Sequence, residues 1–216
     1  MMPSLPAKTC LGVSAAIIAL VAWAALVLQY VLLIGSTLHD IGPLLGTLRF
    51  FSFFTILCNL LVALTTTFAL IRGQSAVGDF FASSHVRGGV ALCIGMVCGI
   101  YFFVLASTWS PQGAQWLVDV MLHYAVPALY LIWWIVCVPH VRLVWSDALR
   151  WLLFPIVYLA WTLLRGAWLH EYPYPFVDVG VLGIGAVMRN ALGISILFLA
   201  LGLVLVAFDR FARRAG

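Results

Sequence analysis

Near-continuous apolar runs recur six times along the chain, at about residues 11–34, 50–71, 88–108, 116–138, 147–165 and 190–208. A helix crosses the hydrocarbon of a bilayer with roughly 20 mostly apolar residues, so each run predicts one span. The intervening segments Gly35–Pro43, Arg72–Arg87, Ser110-Pro111-Gln112-Gly113, Pro139–Arg142 and Gly166–Arg189 carry turn residues or charge. The first run is longer than a signal-peptide core, and its flank offers only Lys8, which predicts a retained span. No repeat of roughly 20–50 residues interrupts the pattern. The expected architecture is all-α and polytopic: one domain over residues 1–216, built as a single bundle of six transmembrane helices.

Composition agrees with lipid as the main solvent. Of 216 residues, 65% are hydrophobic and 8% charged, against about 25% charged in an ordinary soluble domain. A water-soluble fold cannot cover that much apolar surface. The balance excludes a secreted disulfide scaffold, a nucleic-acid-binding domain and a disordered regulator. The net charge of +4 follows from topology. With six spans, Lys8, Arg72, Arg87, Arg142, Arg150, Arg210, Arg213 and Arg214 share one side, leaving Arg49, Arg165 and Arg189 on the other. Basic loops stay inside, so both termini are expected in the cytoplasm, and the tail Arg210–Arg214 is a topology signal rather than a nucleic-acid site. The five cysteines, Cys10, Cys58, Cys93, Cys98 and Cys137, have no metal-ligand spacing and read as packing residues. Gly95 and Gly99 form a Gly-x-x-x-Gly that permits close helix approach, again a packing feature.

Ionisable residues inside spans carry the functional information, because each is costly unless paired or facing a cavity. Asp119, His123 and Arg165 qualify, all in the halves of their helices nearer the outside. His123 lies about seven residues, or roughly 10 Å, into the fourth span, and Thr55 reaches a similar depth in the second. Tyr101, Tyr158, Trp161 and Thr162 share the outer halves, with Gln29 and Tyr30 closing the first span. The inner halves hold only hydroxyls such as Thr65, Thr66 and Thr67, which can bond to their own helix carbonyls. The asymmetry predicts a polar pocket opening outward; the plainer reading is a scaffold with scattered interhelical hydrogen bonds.

Helical spacing narrows the chemistry. Ser52, Thr55 and Asn59 fall on one face of the second span, and Asp119 reaches His123 at i, i+4. Pro127, four residues after His123, predicts a kink that strips the His123 carbonyl of its helical partner. A carboxylate beside an imidazole holds one tautomer and leaves the other nitrogen as a base. A Thr–His pair with an Asp orienter has the parts of an activated hydroxyl nucleophile. Asn59 could then donate to a developing oxyanion, and Arg165 could hold the carboxylate of an acidic substrate.

Two other classes compete with an intramembrane ester hydrolase. A small-solute or proton-coupled transporter would use Asp119, His123 and Arg165 as a relay, although no inverted repeat or inner-half ionisable residue marks a through-pathway. Metal or haem ligation by His123 lacks an intraspan histidine partner, since His39, His85, His140 and His170 fall in loops. No cofactor or metal is therefore expected. The aromatic, proline-rich stretch Glu171–Asp178 reads either as a lid for a lipid or as a rigid interfacial loop, with Asp178 available to pair with Arg165.

Phe54-Thr55-Ile56-Leu57-Cys58-Asn59, then Leu122-His123-Tyr124-Ala125-Val126-Pro127, then Arg165-Gly166 with Tyr172-Pro173-Tyr174-Pro175-Phe176-Val177-Asp178 occur in that order. In these segments the chain resembles the bacterial Pr-six-Pr membrane proteins, relatives of the androgen-induced and androgen-dependent TFPI-regulating proteins of animals. The resemblance implies six helices in a bacterial inner membrane. Its animal members imply a threonine hydrolase that cleaves fatty acid esters of hydroxy fatty acids with one intramembrane Thr and one His. Matched by motif, these are Thr55 and His123; Cys58 stands where relatives often have Ser. The expected partner is thus a membrane lipid or fatty-acyl substrate.

Overall fold

The computed structural model describes residues 5–71, 75–140 and 143–215. Arg72 and Arg142, and the side chains of Lys8, Cys10, Arg213 and Arg214, lie outside the described residues. The described chain is helical, without a strand. Five helices, Leu11–Thr37, Ser84–Leu105, Gly113–Val136, Trp145–Leu169 and Ile184–Ala212, are each long and apolar enough to cross a membrane. In place of an unbroken second span, the helices Gly42–Phe50 and Phe54–Leu70 meet at 74°, and they would make a sixth span only if taken together. By its contacts the chain divides into two compact units, Met1–His140 and Val141–Gly216.

In the first unit α1 (Leu5–Thr37) lies along α3 (Phe54–Leu70) and also meets α2 (Gly42–Phe50). After the short α4 (Ala76–Ala82), α5 (Ser84–Ile100) packs on α3 and on α7 (Val126–Val136), which follows α6 (Gly113–Val120). Ala15, Ala19, Ala22 and Ala25 are buried along α1. These small residues, a turn apart, allow a neighbouring backbone to come close without demanding a polar partner. Leu20, Val27 and Val31 are exposed on the same helix, an arrangement water penalises and lipid does not. Gly46 is required where α2 folds against the end of α1: a Cβ there would stand 2.8 Å from Thr37 Oγ1 and 2.9 Å from Ile34 Cδ1. Gly95 and Gly99 make no such seam. A Cβ on Gly95 would only touch Leu131 at 3.9 Å, and one on Gly99 would meet nothing within 4 Å.

Cys58 and Cys93 are buried thiols, and Cys98 is half-buried. Cys137 departs from the packing role expected of it, since it is disulfide-bonded. Thr66 and Thr67 bond back to Val62 and Ala63 carbonyls at 2.8 and 2.7 Å, as their depth predicts.

The second unit comprises α8 (Trp145–Arg150), α9 (Leu153–Leu169), α10 (Val179–Leu182) and α11 (Ile184–Ala215), with α8 packed on α11. Helix α9 ends at His170 in the left-handed conformation, φ 53°. The following aromatic stretch is ordered by local contacts: a 3-10 turn at Pro175–Val177, parallel rings of Tyr174 and Phe176 with centroids 5.3 Å apart, and Asn190 Nδ2 donating to Phe176 O at 2.9 Å. The Tyr172 ring occupies the space that a side chain on Gly166 would need. Gly166→Ala is therefore expected to destabilise the protein by about 1–3 kcal/mol through overpacking, measured by thermal unfolding in detergent. The loss should shrink when Tyr172→Ala is added, because the obstructing ring is then gone.

Candidate active site

Thr55 is the second residue of α3, directly after the bend. No proline or glycine makes that break. Phe51, Ser52 and Phe53 bond to carbonyls of the preceding turn, and Ser52 Oγ donates to Leu48 O at 2.6 Å. Ser52 thus belongs to the break and not to the helix that carries Thr55 and Asn59, contrary to the single face that their spacing predicts. The bend places the Thr55 hydroxyl in the first turn of a 17-residue helix, where the helix dipole favours negative charge.

His123 sits in a π-helical turn, Met121–Ala125, that joins α6 to α7. Proline at position 127 lacks an N–H and would crowd the carbonyl four residues back; the wider turn absorbs that conflict. Val126 N–H passes to Met121 O, so Leu122 O loses its usual helical donor and accepts Asn59 Nδ2 at 3.1 Å. Leu122, rather than His123, therefore supplies the carbonyl shown to be taken up by a side chain.

Imidazole and hydroxyl face each other, with Thr55 Oγ1 3.4 Å from His123 Nε2. On the opposite edge of the ring, Nδ1 lies 3.1 Å from Asp119 Oδ1 and 3.0 Å from Asp119 O. Both acceptors call for a proton on Nδ1, which leaves Nε2 as the lone-pair nitrogen toward Thr55. Asp119 is buried, and the His123 side chain retains 14% of its surface exposed. The ring is shielded from bulk solvent yet reachable.

Tyr101, read from the sequence only as a polar residue of the outer half, is a central member of the cluster. Its ring stacks on the imidazole, with centroids 3.7 Å apart and planes at 13°. Its hydroxyl donates to Asp119 Oδ2 and accepts from Trp109 Nε1 at 3.1 Å. It begins a second π-helical turn, Tyr101–Leu105, continuing α5. Such turns occur disproportionately at functional sites, and here one supplies each stacking partner.

Asn59 is fully buried but differently employed from the expectation. Its amide nitrogen donates to Thr55 O at 2.8 Å and to Leu122 O, so both N–H groups are committed to backbone. It ties α3 to the His123 turn and has no donor left for an oxyanion; its Oδ1 is buried without a hydrogen-bond partner.

Arg165 belongs to the second unit. It is 2% exposed and closes its fork on Glu171, with Nη1 to the carbonyl oxygen at 3.0 Å and Nη2 to Oε2 at 3.1 Å. That pairing replaces the one expected with Asp178, which instead caps α10 by accepting Val181 N–H at 3.1 Å. With both terminal nitrogens engaged, the fork expected to hold a substrate carboxylate is already filled.

An apolar hollow of about 370 Å³ lies between α1 and the α2–α3 bend, walled by Trp23, Leu26, Tyr30, Phe50, Ile56 and Leu60. Ile56 directly follows Thr55. Among the described residues no group of three or more His, Cys, Asp or Glu side chains is placed to hold a metal ion. Comparison of the chain with protein-family profiles, curated proteins and solved structures gives no significant match.

Proposed function

We propose that this chain is an intramembrane hydrolase of lipid esters, with Thr55 as nucleophile and His123 as general base. The observation that carries the reading is the 3.4 Å approach of Thr55 Oγ1 to His123 Nε2, with Nδ1 held by Asp119. Proton transfer needs roughly 2.6–3.2 Å, and catalytic hydrogen bonds commonly tighten when substrate binds. Thr55 Oγ1 attacks the ester carbonyl carbon while its proton passes to Nε2. The tetrahedral intermediate then expels the alkoxide, which takes that proton and leaves as the alcohol. Water, deprotonated by the same nitrogen, hydrolyses the acyl-threonine to release the acid and restore the hydroxyl. The positive end of the α3 dipole stabilises the negative charge that develops at the carbonyl oxygen.

The substrate fits a fatty ester of a hydroxy fatty acid, the class that the sequence resemblance implies. The apolar hollow supports this reading, since its volume lies in the range of small-ligand sites and its lining is mostly apolar, as an acyl chain requires. The sequence resemblance points to a bacterial inner membrane, and the distribution of basic residues over six spans supports both termini in the cytoplasm.

A fluorophosphonate probe tests the assignment. Purified protein should take up one label, mapped by peptide mass spectrometry to Thr55. Thr55→Ala should lose it completely while Thr55→Ser keeps it. Equal labelling of a folded Thr55→Ala protein would refute the reading.

A further inference from the structure

Arg87 lies in the first turn of α5 and is only 8% exposed. Its Nε donates to Phe81 O at 3.3 Å, three residues ahead of the helix, so the guanidinium is drawn back to the α5 N-terminus. The group also lies over the Trp133 ring, 5.5 Å from the centroid. Tyr130, fully buried beneath it, uses its hydroxyl on the Arg87 carbonyl at 3.3 Å and offers the cation no charge. None of the seven acidic residues makes an ion pair with Arg87. Asp79, on the adjoining α4, is the nearest acid in sequence and does not reach it.

This combination is electrostatically incomplete. A helix N-terminus already carries partial positive charge and disfavours a cation beside it. The stem of the arginine is buried without a counter-ion, which one carbonyl and one aromatic face offset only in part, while its terminal nitrogens keep accessible surface. The terminal nitrogens make no hydrogen bond to a described residue. A planar fork with two unengaged nitrogens matches two oxygens of a phosphate, and the adjacent helix end adds a favourable field. Arg87 is four residues into its span, roughly 5 Å from the end, a depth that lipid headgroups reach.

We propose that the first unit binds a phosphate group at Arg87, at the end of the bundle where α4 turns into α5. The site is independent of the hydrolase reading. Two sources carry this chemistry, an anionic lipid headgroup and a free phosphate.

The full-length protein in nanodiscs distinguishes them. Thermal unfolding is followed in phosphatidylcholine discs with added inorganic phosphate, against chloride of equal ionic strength, and in discs containing phosphatidylglycerol. A rise in melting temperature confined to phosphatidylglycerol identifies a headgroup site; a rise with inorganic phosphate identifies a site open to free anions. In either case Arg87→Gln should lose the rise, and phosphatidylglycerol retention or phosphate affinity should fall on the order of tenfold or more. Arg150→Gln, which removes the same charge from a side chain 64% exposed, should leave the rise intact. If Arg87→Gln does not fold, Arg87→Lys keeps the charge but removes the fork, and should weaken retention while folding normally. No rise with either source, or the same rise in a folded Arg87 variant, would overturn the proposal.

Discussion

His123→Ala lowers the rate at which Thr55 is acylated by about 10²–10⁴-fold, the usual contribution of a positioned general base. The threonine hydroxyl remains in place but has no acceptor for its proton. The measurement is the second-order rate constant for fluorophosphonate labelling, followed in nanodiscs and checked against release of fatty acid from an ester. The groups behind the ring should produce a graded series. Asp119→Asn preserves the shape but removes the charge opposite Nδ1, and should cost less than His123→Ala. Tyr101→Phe retains the ring stacked on the imidazole and loses only the bond to Asp119; Tyr101→Leu loses both. The expected order is wild type, Tyr101→Phe, Tyr101→Leu, His123→Ala, from fastest to slowest. Labelling of His123→Ala at the wild-type rate would remove His123 from the chemistry. An unchanged rate in Tyr101→Leu would confine Tyr101 to packing.

Trp133→Ala carries the largest expected effect on stability, a loss of about 3–5 kcal/mol, as for other large-to-small changes at filled sites. Trp133 is 1% exposed. Its Nε1 donates to Leu11 O at 3.3 Å on α1, its ring lies 5.2 Å from that of Tyr130, and Arg87 rests over it from α5. Truncation therefore loosens three helices at once. Trp133→Phe keeps most of the buried surface and forgoes chiefly the Leu11 bond, a loss of about 1 kcal/mol. Ile132→Ala, at a lipid-facing position one residue away, should change stability by less than about 0.5 kcal/mol. Denaturation in mild detergent, followed by tryptophan fluorescence or a thiol-reactive dye, separates the three. Equal losses for Trp133→Ala and Ile132→Ala would mean that the bundle does not depend on this anchor.

The helical, lipid-facing character of the chain was legible because long apolar runs leave one economical way to satisfy backbone polar groups in hydrocarbon. The reach of Asp119 to His123 was legible for a related reason, since i, i+4 spacing is a property of one helix. Features that depend on two elements were less accessible. Asn59 could be assigned to a helix face but not to its acceptor, because the Leu122 carbonyl becomes available only through the π turn that precedes Pro127. Tyr101 meets His123 through the rotation of separate helices, which apolar periodicity does not encode in spans this uniformly hydrophobic. The bend at residues 51–53 had no proline or glycine to announce it, and the exchange of Asp178 for Glu171 at Arg165 follows from the chain reversing at His170.

The two widened turns make the spacing of this cluster sensitive to chain length at the level of one residue. Every residue of an α-helix advances the azimuth by about 100°, so deleting one position between Met121 and Ala125 would swing the imidazole-bearing segment around its axis relative to α7. Hydrophobic length, loop charge and the number of spans would scarcely change. A relative with such a deletion would look like the same protein by every coarse measure while aiming its histidine at a different neighbour. Alignments of related chains should therefore be read for gaps at these two turns as closely as for the identity of Thr55 and His123.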